Sequence, residues 1–531
     1  MSARPESPVG LGAAHVVADQ RAVIEFLADP KTHRASVRQI ETPAAIVFLA
    51  ANDAYKLKRA VAFPFMDFST LEKRRQACEA EIAVNRPNAP SLYLGTLPVT
   101  KSAAGLALHG AGEVLDWVVH MRRFDEALTL DHIADKGGLT ERLVDGVREV
   151  ILASHERADR RDGAIAVASL VTCVEQNGEA FAENPALFPP DRGRQLLRES
   201  RIALERLHPL LLARGKAGFV RRCHGDLHLR NIALLEGKPT LFDAIEFDEA
   251  VATTDLLYDL AFLLMDLWQR GLRSEANRLL NGYLAATQDR HLDALVALPL
   301  FLSIRAAIRA KVTDAAAPHL GAVDQRSATA LARSYFDLAV SLLAPDTTRL
   351  LAIGGLSGTG KSTLGARLAP RFGRPPGAIH LSSDIVRKQL RQFPAEARLP
   401  ASAYGEAASG EVYEQLRRNA GRVIKAGQSV IVDAVHARPD ERRKVAQTAA
   451  ELGIGFAGLW LEAPLDVMVA RVERRSGDPS DATADVVRTQ AGSDLGEIEW
   501  TRLDAEQPIE DLDRVASDAL GLPSLPIQSA D

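Results

Sequence analysis

Two short runs constrain this chain more than anything else in it. One is Gly355-Leu-Ser-Gly-Thr-Gly-Lys-Ser362, placed between an apolar run and a helical one; the other is His224-Gly-Asp-Leu-His-Leu-Arg-Asn231. The first asks for a strand ending in a glycine-rich turn at a helix N-terminus, where backbone amides converge on an anion. The second asks for a loop that holds an Asp and an Asn five positions apart. These are two different ways of holding phosphate, so the chain reads as at least two domains. Its 531 residues are enough for each to bury a core of its own.

The clearest change of pattern falls at 344–348, where a helical apolar run ends and the strand-like RLLAIGG begins. The expected organisation is one domain over 1–343, a linker over 344–348, a second domain over 349–522 and a loose tail over 523–531. In the second domain, the runs LLAIGG, AIHLSS, SVIVDA and GFAGLWLEA alternate with helical stretches. That is the pattern of a doubly wound parallel sheet of the α/β class. In the first, Ala45 to Ala50 and Ala54 to Arg59 read as a hairpin, and Ser69-Thr-Leu-Glu72 reads as a capping box for a helix to about Asn85. Helical spacing then recurs from Thr140 to Arg157 and from Arg194 to Arg214, giving a two-lobed, α+β expectation.

A net charge of -5 argues against a surface that grips long nucleic acid. Cys78, Cys173 and Cys223 lack disulfide or metal-ligand spacing and read as small apolar residues in a reducing compartment. The N-terminus is a poor signal peptide. The most apolar stretch, Leu256 to Trp268, is too short to span a bilayer and carries Asp259 and Asp266. A cytoplasmic protein with no membrane partner is expected.

In the second domain, Gly355, Ser357, Gly358, Thr359, Gly360, Lys361, Ser362 and Thr363 make the phosphate turn. Lys361 would set a point charge on the outer phosphates and Ser362 would ligate magnesium. Asp433 ends an apolar strand, where a carboxylate suits the hydration shell of that magnesium; its alternative is a plain strand-end acid. Asp384 follows another strand and is placed to accept a hydroxyl proton, with Arg387 steadying a phosphate; its alternative is a helix N-cap. Arg471, Arg474 and Arg475 fall near one face of a late helix, which suits a lid or a solvated basic face.

In the first domain, Asp226 and Asn231 have the spacing of a base and a magnesium ligand. His224 reads as a brace and His228 is unassigned. A second metal carboxylate is expected from Asp243 or Glu246, with Asp243 preferred. Lys56 and Lys58 share a strand face, and one of them would neutralise phosphate while pairing with a helix carboxylate, Glu81 over Glu79, with Lys56 slightly ahead. Met121 to Phe124 would form the hinge beside an adenine. No Gly-rich turn occurs around Glu41 to Ala45.

On these motifs, the region from about 349 to 520 resembles the P-loop kinases of small substrates, the group of zeta toxins, polynucleotide 5′-kinases, gluconate kinase and adenylylsulfate kinase. Asp384-Ile-Val-Arg387 is similar to the Asp-x-x-Arg of the polynucleotide kinases. Residues 36 to 340 resemble the aminoglycoside phosphotransferase and choline kinase superfamily, with a protein-kinase-like fold. The whole resembles bacterial proteins that join these two domains. The resemblance implies ATP and Mg2+, small-molecule hydroxyl acceptors, and a bifunctional kinase with Asp226 and Asp384 as bases. The competing expectations are one catalytic domain with a nucleotide-dependent regulatory partner, and a nucleic-acid 5′-end kinase.

Overall fold

The computed structural model describes residues 16–42, 44–63, 66–319, 321–394, 397–474 and 480–523. Its contacts divide the chain into two compact units, Met1–Gln269 with Leu300–Leu343, and Arg270–Pro299 with Ala344–Asp531. Of the expected tail, 524–531 lies outside the described residues, as does most of the N-terminal segment read for a signal.

The first unit opens on a six-stranded antiparallel sheet. Strands β1 (Val37–Glu41), β2 (Ala45–Ala50) and β3 (Asp53–Lys58) precede helix α1 (Leu71–Asn85); β4 (Tyr93–Ser102), β5 (Gly105–Leu108) and β6 (Glu113–Arg122) follow it. Their order across the sheet is β1-β2-β3-β6-β4-β5. Because side chains alternate along a strand, Leu57 joins Ile46, Phe48, Val99 and Val118 in one apolar cluster. Lys56 and Lys58 are thereby sent to the other face, the one covered by α1. That helix starts one residue later than its sequence suggests, since Thr70 rather than Ser69 is the N-cap and accepts from the Lys73 amide at 3.2 Å.

The rest of the unit is mostly helical, with long helices over Glu141–Arg157, Gly163–Glu183 and Pro190–Lys216. A hairpin of β7 (Ile232–Leu235) and β8 (Lys238–Leu241) follows the His224 run, and α2 (Leu256–Gln269) is buried over nearly its whole length. No helix among the described residues is long and apolar enough to cross a membrane. Cys78 and Cys223 are buried, and burial pushes the Cys78 thiol up to about 12.

The second unit is built on a five-stranded parallel sheet, β10-β11-β9-β12-β13. In chain order its elements include α3 (Arg273–Ala286), β9 (Arg349–Gly355), α4 (Lys361–Leu368), β10 (Ile379–Ser382), α5 (Ser383–Leu390), β11 (Val430–Asp433), β12 (Gly455–Glu462), α6 (Leu465–Glu473), α7 (Ala484–Ala491) and β13 (Thr501–Asp504), with further helices over Glu406–Lys425, Pro439–Glu451 and Ile509–Leu520. Leu351, Ile353, Leu364, Ile431, Leu459 and Leu503 form its core. The fifth strand, β13, carries no strong sequence signal.

One boundary differs from the sequence expectation. Residues 270–299, assigned by sequence to the first domain, pack with the second. The physical reason lies at β10, an edge strand whose outer backbone groups have no further strand to pair with. Two Asn side chains of α3 supply those bonds. Asn277 Nδ2 donates to Pro376 O and Ala378 O, each at 3.0 Å, and Asn281 Oδ1 accepts from the His380 amide at 2.8 Å. Asn419 Nδ2 donates to Asp289 Oδ2 at 2.8 Å and Arg422 pairs with Asp293 at 2.8 Å, extending the same contact.

Asn277 is 3% exposed, so its replacement removes two buried bonds at once. Asn277→Ala in the full chain is expected to cost about 1–3 kcal/mol in denaturant unfolding of the P-loop unit. A loss within the scatter of ordinary surface substitutions would show that α3 is only resting there.

Candidate active sites

In the first unit, five charged groups form one chain. Lys56 Nζ lies 2.8 Å from Glu81 Oε1 and 2.8 Å from Asp243 Oδ1. Lys58 pairs with Glu81 and with Glu246. The two choices left open by sequence, Lys56 or Lys58 and Asp243 or Glu246, are therefore both used, one pair beside the other. They differ in exposure. Lys58 and Glu246 are 2% and 7% exposed and are occupied with each other, whereas Asp243 is 46% exposed. Burial alone would lower the Lys56 ammonium, but Asp243, Glu81 and Glu246 hold it well above its usual value. The Lys56 charge in turn holds Asp243 below the usual carboxylate range. Asp243 itself has φ 58°, a left-handed conformation uncommon for Asp, and its amide donates to the Tyr93 hydroxyl at 3.1 Å.

The loop after Cys223 brings the remaining groups in. Asn231 Nδ2 donates to Asp226 Oδ2 and to Asp226 O, both at 2.9 Å. His228 Nε2 lies 3.3 Å from Asp226 Oδ2, which gives the residue left unassigned a partner. Burial opposes ionisation of Asp226, yet His228 beside it and the Arg309 charge keep its carboxyl well below the ordinary range. His224 bonds Phe242 O through Nε2 at 2.9 Å and is kept neutral by burial, as suits a brace.

The sequence missed what fixes this loop. Asp259 Oδ1 accepts from the Gly225 amide at 2.8 Å, and Asp266 Oδ2 from the Leu229 amide at 3.0 Å. Both acids stand on α2, whose sequence showed only that it was no membrane span. Arg305 donates to Gly225 O at 3.0 Å and lies over the Tyr258 ring, 3.9 Å from its centroid. The Met121–Phe124 segment ends β6, where Phe124 meets Phe242 edge-on at 5.3 Å. Between β1 and β2 the turn is closed by its own bonds, Thr42 Oγ1 donating to Ala45 O at 2.9 Å and accepting from the Ala45 amide at 3.0 Å.

In the second unit, β9, β10 and β11 end together, so Gly355, Ser382 and Asp433 reach the carboxyl edge of the sheet, where open α/β proteins place ligands. Gly358 has φ 88°, and a Cβ there would lie 2.5 Å from Met468 O; only glycine lets α6 approach the turn so closely. Lys361 is half-buried and its Nζ donates to Leu356 O at 3.0 Å. Ser362 and Thr363 are exposed on the first turn of α4. Thr359 Oγ1 donates to Leu356 O at 2.8 Å, and the Ser357 amide donates to Gln490 Oε1 at 2.9 Å.

Asp433 lies 3.2 Å from His380 Nε2. Burial opposes its ionisation, but His380, Lys361 and a hydrogen bond from Ser362 keep its carboxyl low. Asp384, on the first turn of α5, is pushed the other way: burial and the nearby Asp433 raise it, against Ser480, Lys361 and Arg387. Two adjacent acids are thus set apart in acidity by environment alone. Arg387 is placed differently from the sequence expectation of a phosphate contact. It is 8% exposed, donates to Ala403 O at 2.7 Å, and stacks 4.8 Å over the Tyr404 ring. Arg471 is half-buried and Arg474 exposed at the end of α6, neither in an ion pair among the described residues; Arg475 lies outside them. His436 is another group that sequence did not single out. It is buried between Tyr413 and Trp500, and burial lowers it to about 3, so it stays neutral.

Comparison with known proteins gives the same order of parts. Residues 126–295 match the phosphotransferase enzyme family, and residues 350–493 match a family described as an AAA domain. An uncharacterized protein of Mycobacterium tuberculosis is 29% identical over 501 residues, spanning 91% of this chain and 95% of that protein. The adenylyl-sulfate kinase of Myxococcus xanthus is 32% identical over 126 residues, 23% of this chain and 62% of the enzyme. A gluconokinase structure from Sinorhizobium meliloti shares 20% identity over 33% of this chain and 91% of its own, with a TM-score of 0.24. A segment that matches the phosphotransferase enzyme family therefore precedes one that matches the AAA domain family, in the order that the two motifs imply.

Removal of the Lys58 ammonium strands Glu246 in a buried site, whereas removal of Lys56 leaves the more exposed Asp243 open to water. Lys58→Met should therefore destabilise the first unit by about 3–5 kcal/mol in urea unfolding, and Lys56→Met by clearly less. Equal losses would show the two lysines to be interchangeable.

Proposed function

We propose that each unit transfers the γ-phosphoryl group of ATP to a hydroxyl of a small-molecule acceptor, with Asp226 and Asp384 as the two bases. The observation that carries this reading is the approach of two bonded pairs in the first unit, Asn231 with Asp226 at 2.9 Å and Lys56 with Asp243 at 2.8 Å, their segments joined by the Phe242 amide donating to Asn231 O at 3.1 Å. The P-loop unit supports it with Lys361, Ser362, Asp433 and Asp384 at one sheet edge. The donors fit Mg2+, which prefers hard oxygen ligands: Asn231 and Asp243 in the first unit, Ser362 and Asp433 in the second. Bound there, the ion would neutralise phosphate charge.

The chain's own groups do the rest by position and charge. Lys56 offers a fixed ammonium that Glu81 orients. Asp226 stays ionised and free to accept a hydroxyl proton, while Asn231 holds its carboxylate in place. Lys361 presents its charge from the turn, and Asp384 takes the proton in the second unit. The reading places the protein in the cytoplasm and leaves nucleic acid aside on charge grounds.

A second reading has one supporting observation. The β1–β2 turn consumes its own polar groups through Thr42 and Ala45 and offers no glycine amides to phosphate. On that reading the first unit binds nucleotide and regulates, while the second turns over.

Asp226→Asn and Lys361→Ala should each abolish one transfer and spare the other, Asp226→Asn by about 10²–10⁴-fold. The check is ATP consumption and new phosphorylated masses in a metabolite extract. If Asp226→Asn changes no product while Mg-ATP still binds the first unit, the regulatory reading holds instead. The acid limbs should also differ. Asp384 is raised, so its basic form is lost at a higher pH than an ordinary Asp, and Asp226 is depressed, so its basic form persists to a lower one. The P-loop activity should therefore fail first as pH drops, in pH–rate profiles of the two single-site variants.

A further inference from the structure

The helix over Leu298–Ala316 carries two arginines one turn apart, and they are used differently. Arg305, 3% exposed, donates through Nη1 to Gly225 O at 3.0 Å, beside the proposed base Asp226. Its guanidinium also lies over the Tyr258 and Phe262 rings, 3.9 and 4.7 Å from their centroids. His228, which meets Asp226 Oδ2 at 3.3 Å, packs edge-on against the same Phe262 at 5.2 Å. This face of the helix is thereby fixed alongside the Asp226 loop. Arg309 stands one turn further on. It is half-buried, its guanidinium lies 5.7 Å from the centroid of the buried Tyr335 ring, and its charge is felt at Asp226. Among the described residues it is in no ion pair. An aromatic face orients a guanidinium without neutralising it, so the planar fork of N–H donors stays available.

The carboxylates round this loop are already committed. Asp243 pairs with Lys56 and Glu246 with Lys58, while Asp259 and Asp266 accept from the Gly225 and Leu229 amides. A cationic acceptor would meet the Arg309 charge there and no spare acid in that set, whereas an anionic one would meet its complement. We infer that the acceptor of the first unit is a hydroxyl compound that also carries a carboxylate or a phosphate, and that Arg309 binds this anionic group while the hydroxyl meets Asp226. This rests on the proposed transfer at that site and narrows its substrate class. In the transfer the hydroxyl proton passes to Asp226, the acceptor oxygen bonds the γ-phosphorus, and ADP leaves. The anionic group on Arg309 keeps its bonds and its charge throughout. Arg309 thus determines specificity, touching the substrate away from the reacting atoms.

The test uses the full chain carrying Lys361→Ala, so that the P-loop site is silent, and subtracts the ATP consumption of the same chain with Asp226→Asn added. A metabolite extract is split on ion exchangers into anionic, neutral and cationic pools. Asp226-dependent turnover and new phosphorylated masses should appear with the anionic pool. Treating that pool with a phosphatase beforehand separates the two sources: lost turnover means a phosphate, retained turnover a carboxylate. For the active compound, Arg309→Gln should raise KM about tenfold to a hundredfold, the range of a charge-assisted hydrogen bond, with the KM for ATP and the urea midpoint unchanged. Arg309→Lys, which keeps the charge, should recover most of that loss. Turnover confined to the neutral or cationic pool overturns the inference. So does an Arg309→Gln effect on the KM for ATP alone, which would give the guanidinium to the nucleotide phosphates, or no effect on either KM. If no pool supports Asp226-dependent turnover, transfer in the first unit is itself refuted, and the inference goes with it.

Discussion

Glu81 is the group on which the first site depends. It is a carboxylate with no exposure, shared between the buried Lys58 ammonium and the partly buried Lys56 ammonium. A buried charge without partners is costly, and Glu81 meets that cost with two cations. The consequence runs outward along the chain of charges. Lys58 and Glu246 close the inner side and act as ballast, which leaves Lys56 oriented between Glu81 and the more exposed Asp243. The lysine that can meet a ligand is positioned by the lysine that cannot.

The same economy governs the loop that carries Asp226. Its backbone is bound at Gly225 and Leu229 by two acids of α2, and its side chains are bound to one another through Asn231 and His228. The carboxylate of this loop is surrounded by partners that keep it charged. In the P-loop unit the environment separates two acids instead. Asp433 has His380 and Lys361 to keep it ionised, while Asp384 lies in a less compensated position and rises.

His380 links that chemistry to a distant part of the sequence. Its ring meets Asp433 and its amide is held by Asn281 of α3, a helix that precedes the P-loop strand by some sixty residues and lies within the span that matches the phosphotransferase family. The family segment and the packed unit therefore do not share a boundary. An edge strand needs partners for its backbone, and the nearest available ones are the Asn side chains of a neighbouring helix.

Much of this was legible from residues alone. The Gly355–Ser362 turn, Asp226 with Asn231, the alternating strands of the second domain and the shared face of Lys56 and Lys58 follow from short-range rules: glycine conformations, fixed loop spacings and the period-two strand. The structure alone decided that both lysines and both acids are used, that Asp259 and Asp266 hold a loop, that Arg387 turns to Tyr404, that α3 packs with the sheet beyond it, and that Gln490 reaches Ser357. These contacts join residues from 17 to 188 positions apart. Sequence determines what a residue can offer locally, but which partner it meets is set only when the chain folds and burial forces every charge and backbone group to find one.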